Sequence, residues 1–148
     1  MFTGDLVGES VFTNLHNLEV LSLVGNSFEG PFPPDIFRLS KLKHLRLSDN
    51  KFSGSIPHDI RLLCDLESLY LSNNSFEGPL PSNIFKLSKL TGLDITNNRN
   101  LFEGSIPIGL GLLTNLSYLD LSSNNLSGYI PRKQGYFSLT KNCVSDTL

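Results

Sequence analysis

Leu39-Ser40-Lys41-Leu42-Lys43-His44-Leu45-Arg46-Leu47-Ser48-Asp49-Asn50-Lys51-Phe52-Ser53-Gly54-Ser55-Ile56-Pro57 is the stretch on which the fold turns. Its leucines step by three, three and two residues, and Asn50 stands three beyond the last of them. The same frame runs from Leu15 through Leu18, Leu21, Leu23, Asn26, Phe28, Gly30, Phe32 and Pro33. It runs again from Leu63 through Leu66, Leu69, Leu71, Asn74, Phe76, Gly78, Leu80 and Pro81. From Leu113 it passes through Leu116, Leu119, Leu121, Asn124, Leu126, Gly128, Ile130 and Pro131. A unit opening at Leu87 carries two extra residues within Asn98-Arg99-Asn100-Leu101-Phe102. The opening leucines Leu15, Leu39, Leu63, Leu87 and Leu113 are thus spaced by 24, 24, 24 and 26 residues. Self-similarity at such a period marks a stack of supersecondary units.

Each repeated position has a physical use. Leu-x-Leu has a period of two, so both leucines face one side of a short strand and the residue between them faces the other. An Asn after the strand has two donors and an acceptor for turn backbone that would otherwise be buried unpaired. Asn26, Asn50, Asn74 and Asn124, with Asn98 or Asn100 from the fourth unit, are therefore expected to form a structural ladder. Phe28, Phe52, Phe76 and Phe102 are expected to stack as an aromatic spine. Gly in Gly-x-Ile-Pro permits positive φ or a close backbone approach, and Pro suits the end of a second short strand. One unit alone cannot bury its apolar face, whereas neighbours complete the burial.

The bulk numbers agree with a folded chain and exclude several functions. Among 148 residues, 39% are apolar and 18% charged, with a net charge of −2 and no basic run. That balance argues against nucleic acid or an anionic membrane as partner. Cys64 and Cys143 are too few and too far apart for a disulfide framework or a metal site, and read as two separate thiols. Asp5 and Glu9, without an early Lys or Arg, do not resemble a secretory leader. The longest uncharged stretch, from Gly104 to Leu119, is punctuated by Pro107 and Asn115 and is no membrane span. No phosphate loop, nucleophile elbow, His-Glu-x-x-His or kinase motif occurs, and Gly109-Leu110-Gly111 lacks the third glycine of a dinucleotide fingerprint. No catalysis and no cofactor or metal is expected.

Leu-x-x-Leu-x-x-Leu-x-Leu-x-x-Asn-x-Phe-x-Gly-x-Ile-Pro, as it stands from Leu39 to Pro57, resembles the plant-specific class of leucine-rich repeats, with Gly-x-Ile-Pro as its distinguishing part. The resemblance implies an α/β-type solenoid: a curved leucine-rich repeat stack with a short parallel β-sheet on the concave face and irregular or 3₁₀ segments on the convex face. The units fall at 15–38, 39–62, 63–86, 87–112 and 113–131, after a degraded partial repeat at 1–14 and before an irregular tail at 132–148. The family resemblance implies part of a plant receptor-like protein or receptor-kinase ectodomain at the cell surface, in defence or developmental signalling. It also implies a protein or peptide ligand, and a co-receptor with similar repeats as a further partner. An inhibitor of cell-wall-degrading enzymes, or a truncated product, uses the same repeats. The family's cysteine-pair caps and capping Trp are missing, which points to a shortened relative with exposed apolar ends.

The outward strand residues nominate a binding face. These are Ser22, Arg46, Tyr70, Asp94 and Asp120, with Val20, His44, Ser68, Gly92 and Tyr118 one step ahead of each leucine pair. His44, Arg46 and Tyr70 form a basic-aromatic cluster, and Asp94, Tyr118 and Asp120 an acidic-aromatic one. Tyr and Arg are frequent interface anchors, although solvated strand residues would look the same. The insertion at Asn98–Phe102 either shapes the ligand surface or is a tolerated loop. Asn73, Asn115 and Asn125 open Asn-x-Ser sequons, acceptors for glycans if the chain is secreted. His16 and His58 are placed on the solvated outside.

Overall fold

A computed structural model describes residues 1–6, 11–99 and 101–129, together with the backbone of Ser138–Leu139. The strands in chain order are β1 (Thr3–Asp5), β2 (Val20–Ser22), β3 (Ser27–Gly30), β4 (His44–Arg46), β5 (Lys51–Gly54) and β6 (Ser68–Tyr70), followed by β7 (Ser75–Phe76), β8 (Gly92–Asp94), β9 (Glu103–Ser105), β10 (Tyr118–Asp120), β11 (Asn125–Ser127) and β12 (Ser138–Leu139). Each Leu-x-Leu pair begins on one of the even-numbered strands. β2, β4, β6, β8 and β10 lie side by side in one parallel sheet, in chain order. Leu21, Leu45, Leu69, Leu93 and Leu119 stand in register across it.

The chain returns to the next strand along a second row. β1, β3, β5 and β7 form a parallel sheet, β9 and β11 form another, and a Gly78–Phe102 bridge lies between them. This row arises from the Phe-x-Gly half of the repeat. At Gly54, for example, φ is +75°, in the region that side chains avoid. The coil then closes through 3₁₀ helices at Pro34–Arg38, His58–Leu62, Ser82–Lys86 and Ile108–Leu112. Pro33, Pro57, Pro81 and Pro107 precede them with φ of −65° to −67°, the value their rings impose. The structure is a curved solenoid whose core is the interior of the coil.

Two internal columns hold the units together. Asn74 donates through Nδ2 to the carbonyls of Leu47, Leu71 and Ser72 and accepts the Phe52 N–H at 3.0 Å through Oδ1. Asn50 repeats this one unit earlier, and Asn98 one unit later. Asn98 therefore takes the ladder position, while Asn100 lies outside the described residues. The second column is aromatic: Phe2 stacks on Phe28, Phe28 on Phe52 and Phe52 on Phe76, with centroids 6.1–6.4 Å apart. Phe2 joins the spine, whereas Phe102, though fully buried, makes no ring stack among the described residues. Its backbone nevertheless keeps the register, Gly78 pairing Phe102 as Gly54 pairs Phe76 and Gly30 pairs Phe52, so the two extra residues are absorbed ahead of it. In the next unit, Asn124 Oδ1 is buried with no hydrogen-bond partner among the described residues.

Burial depends on having a neighbour on each side. Leu39, Leu63, Leu87 and Leu113 are fully buried, but Leu15, the same position in the first unit, is 43% exposed. Phe2, at the outer end of the ring stack, is likewise exposed. The tail differs from the irregular segment expected: Ser138–Leu139 adds to the sheet as β12, parallel to β10. The bare edge of β10 offers unpaired N–H and C=O groups, which a passing extended segment satisfies.

Candidate functional site: the concave sheet

The outer face of the sheet of even-numbered strands carries two rows of side chains. Parallel register sets Val20, His44, Ser68, Gly92 and Tyr118 along one row and Ser22, Arg46, Tyr70, Asp94 and Asp120 along the other. His44 is half-buried, its Nδ1 2.9 Å from Ser68 Oγ. Arg46 is exposed, with its guanidinium carbon 5.8 Å from the centre of the Tyr70 ring. A cation–π contact at that distance draws the guanidinium toward the ring face. The Arg46 side chain makes no hydrogen bond or ion pair among the described residues.

Tyr70 leans across the neighbouring strand. A Cβ built on Gly92 would stand 3.0 Å from Tyr70 Oη, so the phenol occupies space that any other residue would fill. Beyond that gap Tyr70 meets Tyr118 edge to face, centroids 6.3 Å apart at 77°. The structure therefore joins Tyr118 to the basic cluster, whereas the sequence grouped it with Asp94 and Asp120. The reason is the missing side chain at Gly92, which lets one ring reach over a whole strand. Arg46, Tyr70 and Tyr118 become one continuous line.

The two carboxylates are engaged locally. Asp94 Oδ1 accepts from the N–H and the hydroxyl of Thr96 at 2.9 and 2.8 Å. Asp120 Oδ1 does the same with Ser122 at 3.0 and 2.7 Å. Both close the turn after their strands. At the rim, Lys43 pairs with Glu19 at 2.8 Å and Lys89 with Asp65 at 2.6 Å. The Lys43 hydrogen bond, then its charge, holds the Glu19 carboxyl below its usual value, and Lys89 acts likewise on Asp65. The same contacts raise both lysines.

Sequence reasoning missed a further row. Gly25, Asp49, Asn73, Asn97 and Ser123, each just ahead of a ladder Asn, all have left-handed φ of 51° to 73°. Gly, Asn and Asp tolerate that region best, and their recurrence there was the available signal. Asn97 Nδ2 donates to Asn73 Oδ1, and Asn73 Nδ2 to Asp49 Oδ1, both at 2.7 Å. The Asn73 sequon is thus tied on both sides. Asn115 is exposed and donates to the Ser88 carbonyl, and Asn125 is exposed on β11. Cys64 is exposed and lies outside the binding face, as are His16 and His58. Cys143 lies outside the described residues. Among the described residues no His, Cys, Asp and Glu side chains are grouped to hold a metal, and no helix is long and apolar enough to cross a membrane.

A family model described as Leucine Rich Repeat matches residues 17–39, 41–63, 65–87 and 115–133, more than half of the chain. The part it passes over contains the insertion at Asn98–Phe102. No curated protein matches the chain by sequence. Among solved structures, the plant peptide hormone receptor RGFR1 in complex with RGF2 aligns at TM-score 0.80 and 38% identity, over 87% of this chain and 20% of that one. The ectodomain of the Arabidopsis thaliana membrane receptor kinase GASSHO1/SCHENGEN3, in complex with CASPARIAN STRIP INTEGRITY FACTOR 2, aligns at 0.77 and 34%. That alignment covers 84% of this chain and 14% of that one. The ectodomain of the Arabidopsis thaliana receptor kinase SOBIR1 aligns at 0.73 and 33%, over 84% and 67%. The chain spans a small share of the two ligand-bound receptors.

Proposed function

Because the chain belongs to the leucine-rich repeat family, we propose that it is a non-catalytic recognition module of a plant cell-surface receptor ectodomain, binding a peptide or protein on its concave sheet. The observation that carries the reading is the open Arg46–Tyr70–Tyr118 line on a rigid parallel sheet. Tyr and Arg offer large contact area and directional hydrogen bonds, and strands hold them with little freedom to lose on binding. Two of the similar receptors are complexes with named ligands, which supports a ligand here; a co-receptor with similar repeats is the further partner proposed for the signalling step. Defence or development is the proposed setting, and the exposed sequons at Asn115 and Asn125 suit an extracellular one.

The test is retention of peptides from a random-sequence array by the whole chain. Retention is expected to fall about tenfold or more in Arg46→Ala/Tyr70→Ala, a loss typical of interface anchors. The outer-surface control Arg38→Ala/Lys86→Ala should bind as the parent does. Equal loss in both variants, or none in the first, sinks the concave-face reading.

A further inference from the structure

We infer that the concave sheet selects a peptide carrying an internal acidic side chain, held by Arg46, with an aromatic or apolar side chain a few residues away on the Tyr70–Tyr118 shelf. The inference deepens the proposed function and rests on it. Arg46 is the starting point. Lys43, the neighbouring cation, is committed to Glu19, and the His44 ring is engaged with Ser68. The Arg46 fork has no such partner among the described residues. Lying 5.8 Å from the Tyr70 ring centre, the fork has a neighbour that limits its freedom, so a carboxylate meeting this bidentate donor costs less ordering than at a fully free arginine.

Charge sets the polarity of the face. Asp94 and Asp120 lie two and three strands beyond Arg46 in the same row. They disfavour an acidic group toward β10 and favour one at β4. The sheet continues past Arg46 to Val20 and Ser22 on β2, so a peptide can run on beyond its acidic residue rather than end there. Its apolar contact lies in the other direction, on the two tyrosines that meet across Gly92. Strands about 4.8 Å apart place the outer edge of that shelf roughly 14 Å from Arg46, about four extended residues.

The experiment uses the whole chain and short synthetic peptides, acetylated and amidated so that the only carboxylate is a side chain. Each holds one Glu and one Tyr on a Gly-Ser background, at stepped spacings and in both orders, with Gln and Lys versions of the Glu. Retention is expected to peak near a spacing of about three to four residues and to drop about tenfold on exchanging Glu for Gln. In Arg46→Gln the Glu-to-Gln difference should vanish while Tyr-dependent retention persists. In Gly92→Ala, which moves Tyr70 aside, the Tyr-dependent part should fall instead. Thermal melts of both variants check that each still folds. Equal retention of Glu and Gln peptides, or a preference that survives in Arg46→Gln, overturns this inference and leaves the concave-face reading standing. Retention of no peptide at all overturns both.

Discussion

Asn74 spends every polar atom it has inside the solenoid, and Asn124 does not. Asn74→Ala would strip hydrogen bonds from the Phe52 N–H and from the carbonyls of Leu47, Leu71 and Ser72, all buried. A loss of about 3 kcal/mol is expected, since buried groups left unpaired cost on the order of 1–3 kcal/mol each and some will relax toward others. Asn124 keeps its three donor contacts, but its Oδ1 has no partner among the described residues. Asn124→Ala should therefore cost less in the same urea titration, and equal losses would contradict the ladder account. The ion pairs at the rim make a separate prediction at this scale. Glu19 and Asp65 have lowered folded values, so their contribution is present above the ordinary carboxylate range and is lost as pH falls through the lowered values. The raised lysine values act oppositely, with a contribution lost as pH rises through them. Both pairs are exposed, so the effect on stability is small and salt-sensitive. Following the Glu19 carboxyl by NMR in Lys43→Met should show its midpoint rising toward the usual glutamate value. An unmoved midpoint would show that the contact does not hold it down in solution.

At the level of one repeat, the fourth unit is the imperfect element. Arg99 sits at φ 54°, Phe102 drops out of the ring stack, and Asn124 Oδ1 loses the acceptor role that Asn50, Asn74 and Asn98 perform. Deleting Asn100 and Leu101 restores the regular spacing. It should let Phe102 stack on Phe76 and donate its N–H to Asn124 Oδ1. The gain expected is about 1 kcal/mol, one net hydrogen bond, read as a higher urea midpoint at unchanged slope. The sequence exposed the two extra residues but not their consequence. Which Asn enters the ladder depends on contacts with the neighbouring units, and Asn98 and Asn100 look alike in one dimension. Gly92 is a similar case. Its place in the outward row was legible, but its use, as space for the Tyr70 ring, is a relation between strands.

Across the whole molecule, stability is a sum of units and the interfaces between them. Leu69 lies on a central strand at 0% exposure, and Leu21 on the edge strand at 8%. Leu69→Ala should cost about 2–5 kcal/mol, and Leu21→Ala less, because fewer neighbours collapse around it. Both should shift one shared transition seen by far-UV signal and by tyrosine fluorescence alike. Separate transitions would show that the repeats are uncoupled. The sequence by itself determined the repeat, the period, the inward leucines, the alternation that turns Arg46 and Tyr70 outward, and hence the solenoid. These are local periodicities, and a chain that must bury its apolar face has one way to satisfy them all. Only the tertiary structure decided that Tyr118 joins Tyr70 across Gly92 and that Arg46 lies against Tyr70 with no hydrogen bond or ion pair among the described residues. Those outcomes arise between residues about 24 or 48 positions apart, the spacing of adjacent and next-adjacent units, where side chains meet through packing rather than through order along the chain.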